Sequence, residues 1–146
     1  MEVRLMRKNI GIFRGKRKDN NEWIEGYLLY HEGQYYICDS VSDITYGDNG
    51  NRRRVGCWHE VIQETVGECI GLVDIKGKKL FEDDIINIYE VPNVPKATRA
   101  VVNWNDLFSA WYANHTNGLQ SLYGGYIADI YEIIGNAHDN PELLDV

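Results

Sequence analysis

The sequence predicts an all-β protein. Three observations carry that reading. Apolar and aromatic residues fall into about eight short runs at roughly ten-residue spacing, the signature of a barrel or sandwich. Turn-forming clusters of Gly, Asn, Asp and Pro separate those runs. Helical periodicity is nearly absent, apart from a short turn at the C-terminal end. The chain has 146 residues, 44% hydrophobic and 25% charged, which is globular composition for one ordinary domain or two very small ones.

The elements follow in order. KRKDNNE turns the chain at residues 16–22, with Asn20 and Asn21 at the tip. WIEGYLLY and QYYICDS flank His31, Glu32 and Gly33 and read as a β-hairpin, because Tyr and Trp suit a pleated surface and Gly33 suits a tight turn. SDITYGDNGNRRR, residues 42–54, reads as a polar loop, with Arg52, Arg53 and Arg54 on a solvated rim. VIQETVGECIGLVD alternates, and Gly67 and Gly71 mark places for a close backbone approach or a bulge. IKGKK turns at Gly77, and IINIYEV is a β-branched strand closed by Pro92 and Pro95. RAVVNWND and LFSAWYANHT form a hairpin around Asn105 and Asp106, NGLQSLYGG reads as loop, and YIADIYEIIGN is the final strand. Asn140 and Pro141 start a short helical turn. The division expected is an N-terminal β-hairpin region, 1–60, and a barrel-like C-terminal region, 61–146, intertwined or separate.

Charge is uneven. Residues 1–60 carry 10 Lys/Arg against 9 Asp/Glu, whereas residues 61–146 carry 5 against 13. The net of −7 repels phosphate backbones and disfavours nucleic acid as a partner. Three cysteines, Cys38, Cys57 and Cys69, are too few for a disulfide framework. Neither a signal-peptide apolar region nor a run of about 20 apolar residues is present, so the expected setting is a reducing cytoplasm without membrane contact.

Candidate chemistry is sparse. Glu82, Asp83 and Asp84 are consecutive, and on a strand neighbours point to opposite faces, so at most two could converge on a cation. The expectation is a structural turn at Gly77 and at Glu82, Asp83 and Asp84, with Asp side chains bonding nearby N–H groups. Cys57, Trp58 and His59 form a C-x-H triplet with no second ligand pair, and Cys38 and Cys69 read as small core residues. His59, His115 and His138 are possible bases for Cys57, and spacing favours none of them. No P-loop, G-x-S-x-G, G-x-G-x-x-G or H-E-x-x-H occurs, which counts against catalysis. No cofactor and no metal are expected. Four Trp, ten Tyr and three Phe exceed what a small barrel holds, so some rings are expected at the surface, where they favour protein interfaces or base stacking. Arg52, Arg53, Arg54 and Trp58 are the candidate contacts to a partner or to nucleic acid.

Three blocks together resemble the YopX family, proteins encoded by phages and prophages. They are FRGKRKDNNEWIEGYLL (13–29), ETVGECIGLVDIKGKKLFEDDIINI (64–88) and IIGNAHDNPELL (133–144). The family usually has Gly where this chain has Asp83, at a place where a positive φ would favour Gly. The Gly/Asp turn feeding an apolar strand also looks like small SH3-like barrels. The resemblance carries no catalytic residue or cofactor. It implies a phage or prophage accessory protein in the host cytoplasm. A homo-oligomer or a host or phage protein partner is expected. The alternative is a nucleic-acid-binding β-barrel acting in phage DNA metabolism or regulation.

Overall fold

The computed structural model describes residues 11–39, 44–46, 52–54, 58–89, 97–115, 118–122 and 131–144, with backbone alone at 44–46 and 52–54. Strands dominate, as the sequence predicts, and two short 3-10 turns supply the helical content of the described residues. The chain divides into two compact units, Gly11–Glu68 and Cys69–Val146.

In the first unit the strands are β1 (Phe13–Lys16), β2 (Trp23–His31), β3 (Gln34–Cys38), β4 (Ile44–Tyr46), β5 (Arg52–Arg54) and β6 (Trp58–Val61). An antiparallel sheet runs β6-β3-β2-β1. The β2–β3 hairpin closes through Glu32 at φ 48° and Gly33 at φ 80°. Two successive positive φ values match the right-handed twist of the flanking strands. Side-chain alternation then places Ile24, Ile37 and Val61 on one face, where Phe13, Leu28, Tyr35 and Val66 pack on them. Arg52–Arg54 is a strand paired with β4, not the expected loop rim. Cross-strand pairing overrides the weak β preference of the residue type.

Residues 62–68 stay with this unit rather than with the C-terminal half. Ile62 N–H donates to Lys16 O at 2.8 Å, and Lys16 N–H donates to Thr65 Oγ1 at 2.8 Å. Gln63–Thr65 is a 3-10 turn. The first residues of β7 (Gly67–Val73) pair with β1, Glu68 opposite Phe13 and Gly67 opposite Arg14.

The second unit continues β7 from Cys69 and adds β8 (Lys79–Phe81), β9 (Asp84–Tyr89), β10 (Ala97–Asn105), β11 (Ala110–His115), β12 (Gly118–Ser121) and β13 (Tyr131–Asn136). The β7–β8 ladder shifts register between Cys69 and Val73, where Gly71 has φ 86°. That is the bulge the glycine pattern predicts. An antiparallel sheet runs β12-β11-β10-β9-β13. Residues 118–121 are a paired strand, although the sequence reads them as loop. One face of the sheet buries Ile86, Ile88, Ala100, Val102, Ala113 and Tyr131, with Ile70 and Leu80. A ladder between β12 and β13, which would close the expected SH3-like barrel, is not among the described pairings. No helix of the described residues is long and apolar enough to cross a membrane.

Candidate functional site

The acidic run before β9 is a tight turn whose three members do different things. Asp84 is 1% exposed, and its Oδ2 accepts the Phe81 N–H at 2.8 Å. Asp83 sits at φ 69°, the left-handed region where Asp is tolerated better than most residues. Its N–H donates to Val102 O and its carbonyl accepts Ala137 N–H, both at 2.8 Å. The turn is therefore held between β10 and the turn after β13. Glu82 is half-buried beside them.

The Asp83 carboxylate joins two residues distant in sequence. Oδ1 accepts Asn103 Nδ2 at 3.2 Å, and Oδ2 lies 3.0 Å from His138 Nε2. The Asp83 and His138 side chains are each about a quarter exposed. Asn136 Oδ1 accepts the His138 and Asp139 N–H groups, which fixes the loop that carries the imidazole. An Asp–His pair can orient a general base. Here both carboxylate oxygens are engaged, and the contacts bind three chain segments to one another. No group of three or more His, Cys, Asp or Glu among the described residues has a metal-holding arrangement.

This geometry gives a prediction. Asp83→Ala loses both side-chain bonds and keeps a Cβ in the left-handed region. Asp83→Gly loses the same bonds and removes the strain. Urea melts should place the Gly variant about 1 kcal/mol above the Ala variant. Equal stabilities would mean that the turn stores no conformational strain.

Asp74 closes the β7–β8 turn in the same manner. It is 4% exposed. Oδ1 accepts the Lys76 and Lys78 N–H groups, each at 2.9 Å, and Gly77 supplies φ 79°. Oδ2 accepts Ile133 N–H at 3.2 Å, and Ile75 N–H donates to Tyr131 O at 2.8 Å. The outer side of β13 is thus occupied. Nearby, Tyr89 O–H donates to Glu132 Oε2 at 2.7 Å, and this bond holds the phenol above its ordinary value of 10.0.

The remaining candidates scatter. Trp58 is exposed on β6, opposite Cys38. The side chains of Arg52, Arg53 and Arg54 lie outside the described residues, as does Cys57. Cys38 and Cys69 are buried thiols. His59 lies 3.9 Å from Asp39 on β6, in a different unit from His138.

The strongest surface feature escaped sequence reading. At the β10–β11 turn Leu107 is 85% exposed, Phe108 56% and Trp104 45%. The rings are ordered by their neighbours, Trp104 edge-on to Trp111 at 5.3 Å and Phe108 tilted on Tyr112 at 5.4 Å. Leu119 on β12 is 49% exposed. One signal was available. Residues 107–128 contain no Asp, Glu, Lys or Arg, in a chain that is 25% charged.

Residues 12–145 match the family model described as YopX protein. The crystal structure of protein EF1440 from Enterococcus faecalis is similar in fold, with TM-score 0.57 and 22% identity over 90% of this chain and 96% of that one. A search of curated proteins returns no match.

Proposed function

The chain belongs to the YopX family, and we propose that it is a binding module rather than an enzyme, one that docks a protein partner through exposed rings. The observation that carries this reading is the end of the β10–β11 hairpin, where Leu107 and Phe108 at the turn and Trp104 on β10 are each exposed. Exposed apolar groups that cluster mark interaction sites, and aromatic anchors dominate binding energy. The acidic charge of residues 61–146 opposes a phosphate backbone and leaves a protein as the partner of choice. The family resemblance extends the reading to a phage or prophage accessory role in the cytoplasm of a bacterial host.

The test is a pull-down from infected-host extract with the wild type and with Leu107→Ser/Phe108→Ser, scored for protein and for single-stranded nucleic acid. The double variant should keep its melting temperature and weaken capture of the partner roughly thirty-fold, the loss expected for a hot spot of about 2 kcal/mol. Capture that is unchanged by the variant, or recovery of nucleic acid alone, would overturn the reading.

A further inference from the structure

We propose that β12 is the self-pairing edge of a two-fold dimer, in which two copies join their five-stranded sheets into one continuous antiparallel sheet. The proposal rests on the binding-module reading and specifies one partner for it, a second copy of this chain.

The two edges of the sheet differ. On β13 the outward groups are taken, Tyr131 O by Ile75 N–H and Ile133 N–H by Asp74. That strand also carries Glu132 and a register shift between Ile133 and Gly135. Charges and bulges are the devices that keep an edge from pairing with another chain. β12 has none of them: Gly118, Leu119, Gln120 and Ser121 are uncharged, contain no proline and pair with β11 in regular register. Among the described residues no strand lies on its outer side.

Backbone alternation says which groups point outward. Leu122 N–H donates to Trp111 O at 3.2 Å. In an antiparallel ladder every second residue bonds to the same neighbour, so Gln120 and Gly118 face β11 while Leu119 and Ser121 present N–H and C=O to the outside. A two-fold axis through Gln120 then pairs Leu119 with Ser121 of the second copy, and Ser121 with Leu119. Both pairs are of the bonded kind, and the two Gln120 residues meet at the axis. The contact is isologous and closes at two copies.

Charge selects the occupant. Two molecules of net −7 repel across most of their surfaces. β12 lies inside residues 107–128, a stretch of sequence without Asp, Glu, Lys or Arg, so its edge brings no like charges of its own to a second copy. Leu119, half exposed, adds apolar area beside the ladder.

Sedimentation velocity on the full chain tests this. The wild type should sediment as a dimer of 16.8 kDa chains, and added salt should leave the dimer as tight or tighter, because it screens net repulsion. Gln120→Lys and Gln120→Glu should each weaken association at least tenfold, and an equimolar mixture of the two should restore a dimer, which a misfolded variant could not do. Ser121→Pro removes an outward N–H and should give a folded monomer. A monomeric wild type at every concentration, or a dimer indifferent to all three variants, overturns the proposal. A dimer lost only in Leu107→Ser/Phe108→Ser also overturns it while sustaining the binding-module reading, which fails separately if those residues prove irrelevant to any capture.

Discussion

Gly26→Ala is expected to unfold the Gly11–Glu68 unit. A Cβ at residue 26 would lie 1.9 Å from Cys38 O and 2.6 Å from Cys38 C, with Asp39 Cα at 3.0 Å. Those are backbone atoms, so no rotamer change relieves the clash. Nor can β3 retreat, because it is paired with β2 on one side and with β6 on the other, Ile37 opposite both Leu28 and His59. The cost should be about 3 kcal/mol or more. A unit of this size has a stability of roughly 3 to 9 kcal/mol, so one methyl group removes much or all of it. Gly33→Ala is the control. Its φ of 80° strains any side chain, but nothing lies within 4 Å of the added atom, and the cost should stay near 1 kcal/mol. Urea melts followed by tryptophan fluorescence separate the two. A Gly26→Ala protein within about 1 kcal/mol of the wild type would show that β2 and β3 are not as closely apposed as the geometry states.

The hairpins were legible because their turn chemistry is local. Gly33 and Gly77 announce a positive φ through residue type, the family's usual Gly at the position of Asp83 points to a third, and all three positions adopt one. What was not legible depends on neighbours far along the chain. β12 has only four residues and lacks the alternation that reveals a half-buried strand, so its state is decided by β11. Arg52–Arg54 has no strand signature either, and pairing with β4 makes it one. The expected division at residue 60 follows the clearer alternation that begins at residue 61. Hydrogen bonds from Lys16 to Thr65 and from Ile62 to Lys16, which span more than forty residues, tie residues 62–65 to β1. The link from Asp83 to Asn103 and His138 joins positions 20 and 55 residues apart, with no periodicity to expose it. The resemblance through FRGKRKDNNEWIEGYLL did include Gly26, but only the built chain shows that the missing side chain makes room for a carbonyl.

Asp74→Ala should be a strongly damaging polar substitution in the second unit. The carboxylate is almost fully buried and accepts three N–H groups, from Lys76, Lys78 and Ile133. The first two shape the turn that lets β8 follow β7. The third, with the Ile75–Tyr131 bond, fastens that turn along β13. Removing the acceptor strands one donor at the sheet edge and loosens two in the turn, and each buried donor left unmade costs about 1–3 kcal/mol. Lys76 and Lys78 are exposed and can turn to water, so the expected loss is about 3 kcal/mol rather than the full sum. Asp74→Asn discriminates between the two halves of the role. Its carbonyl oxygen can still accept from Lys76 and Lys78, but its NH₂ then faces the Ile133 N–H, donor against donor. The amide variant should therefore cost roughly half as much and weaken hydrogen-exchange protection at Ile133 first, ahead of the turn amides. If the Asn variant were as stable as the wild type, the Asp74–Ile133 bond would carry no weight in holding β13, and the turn would stabilise only the hairpin that contains it.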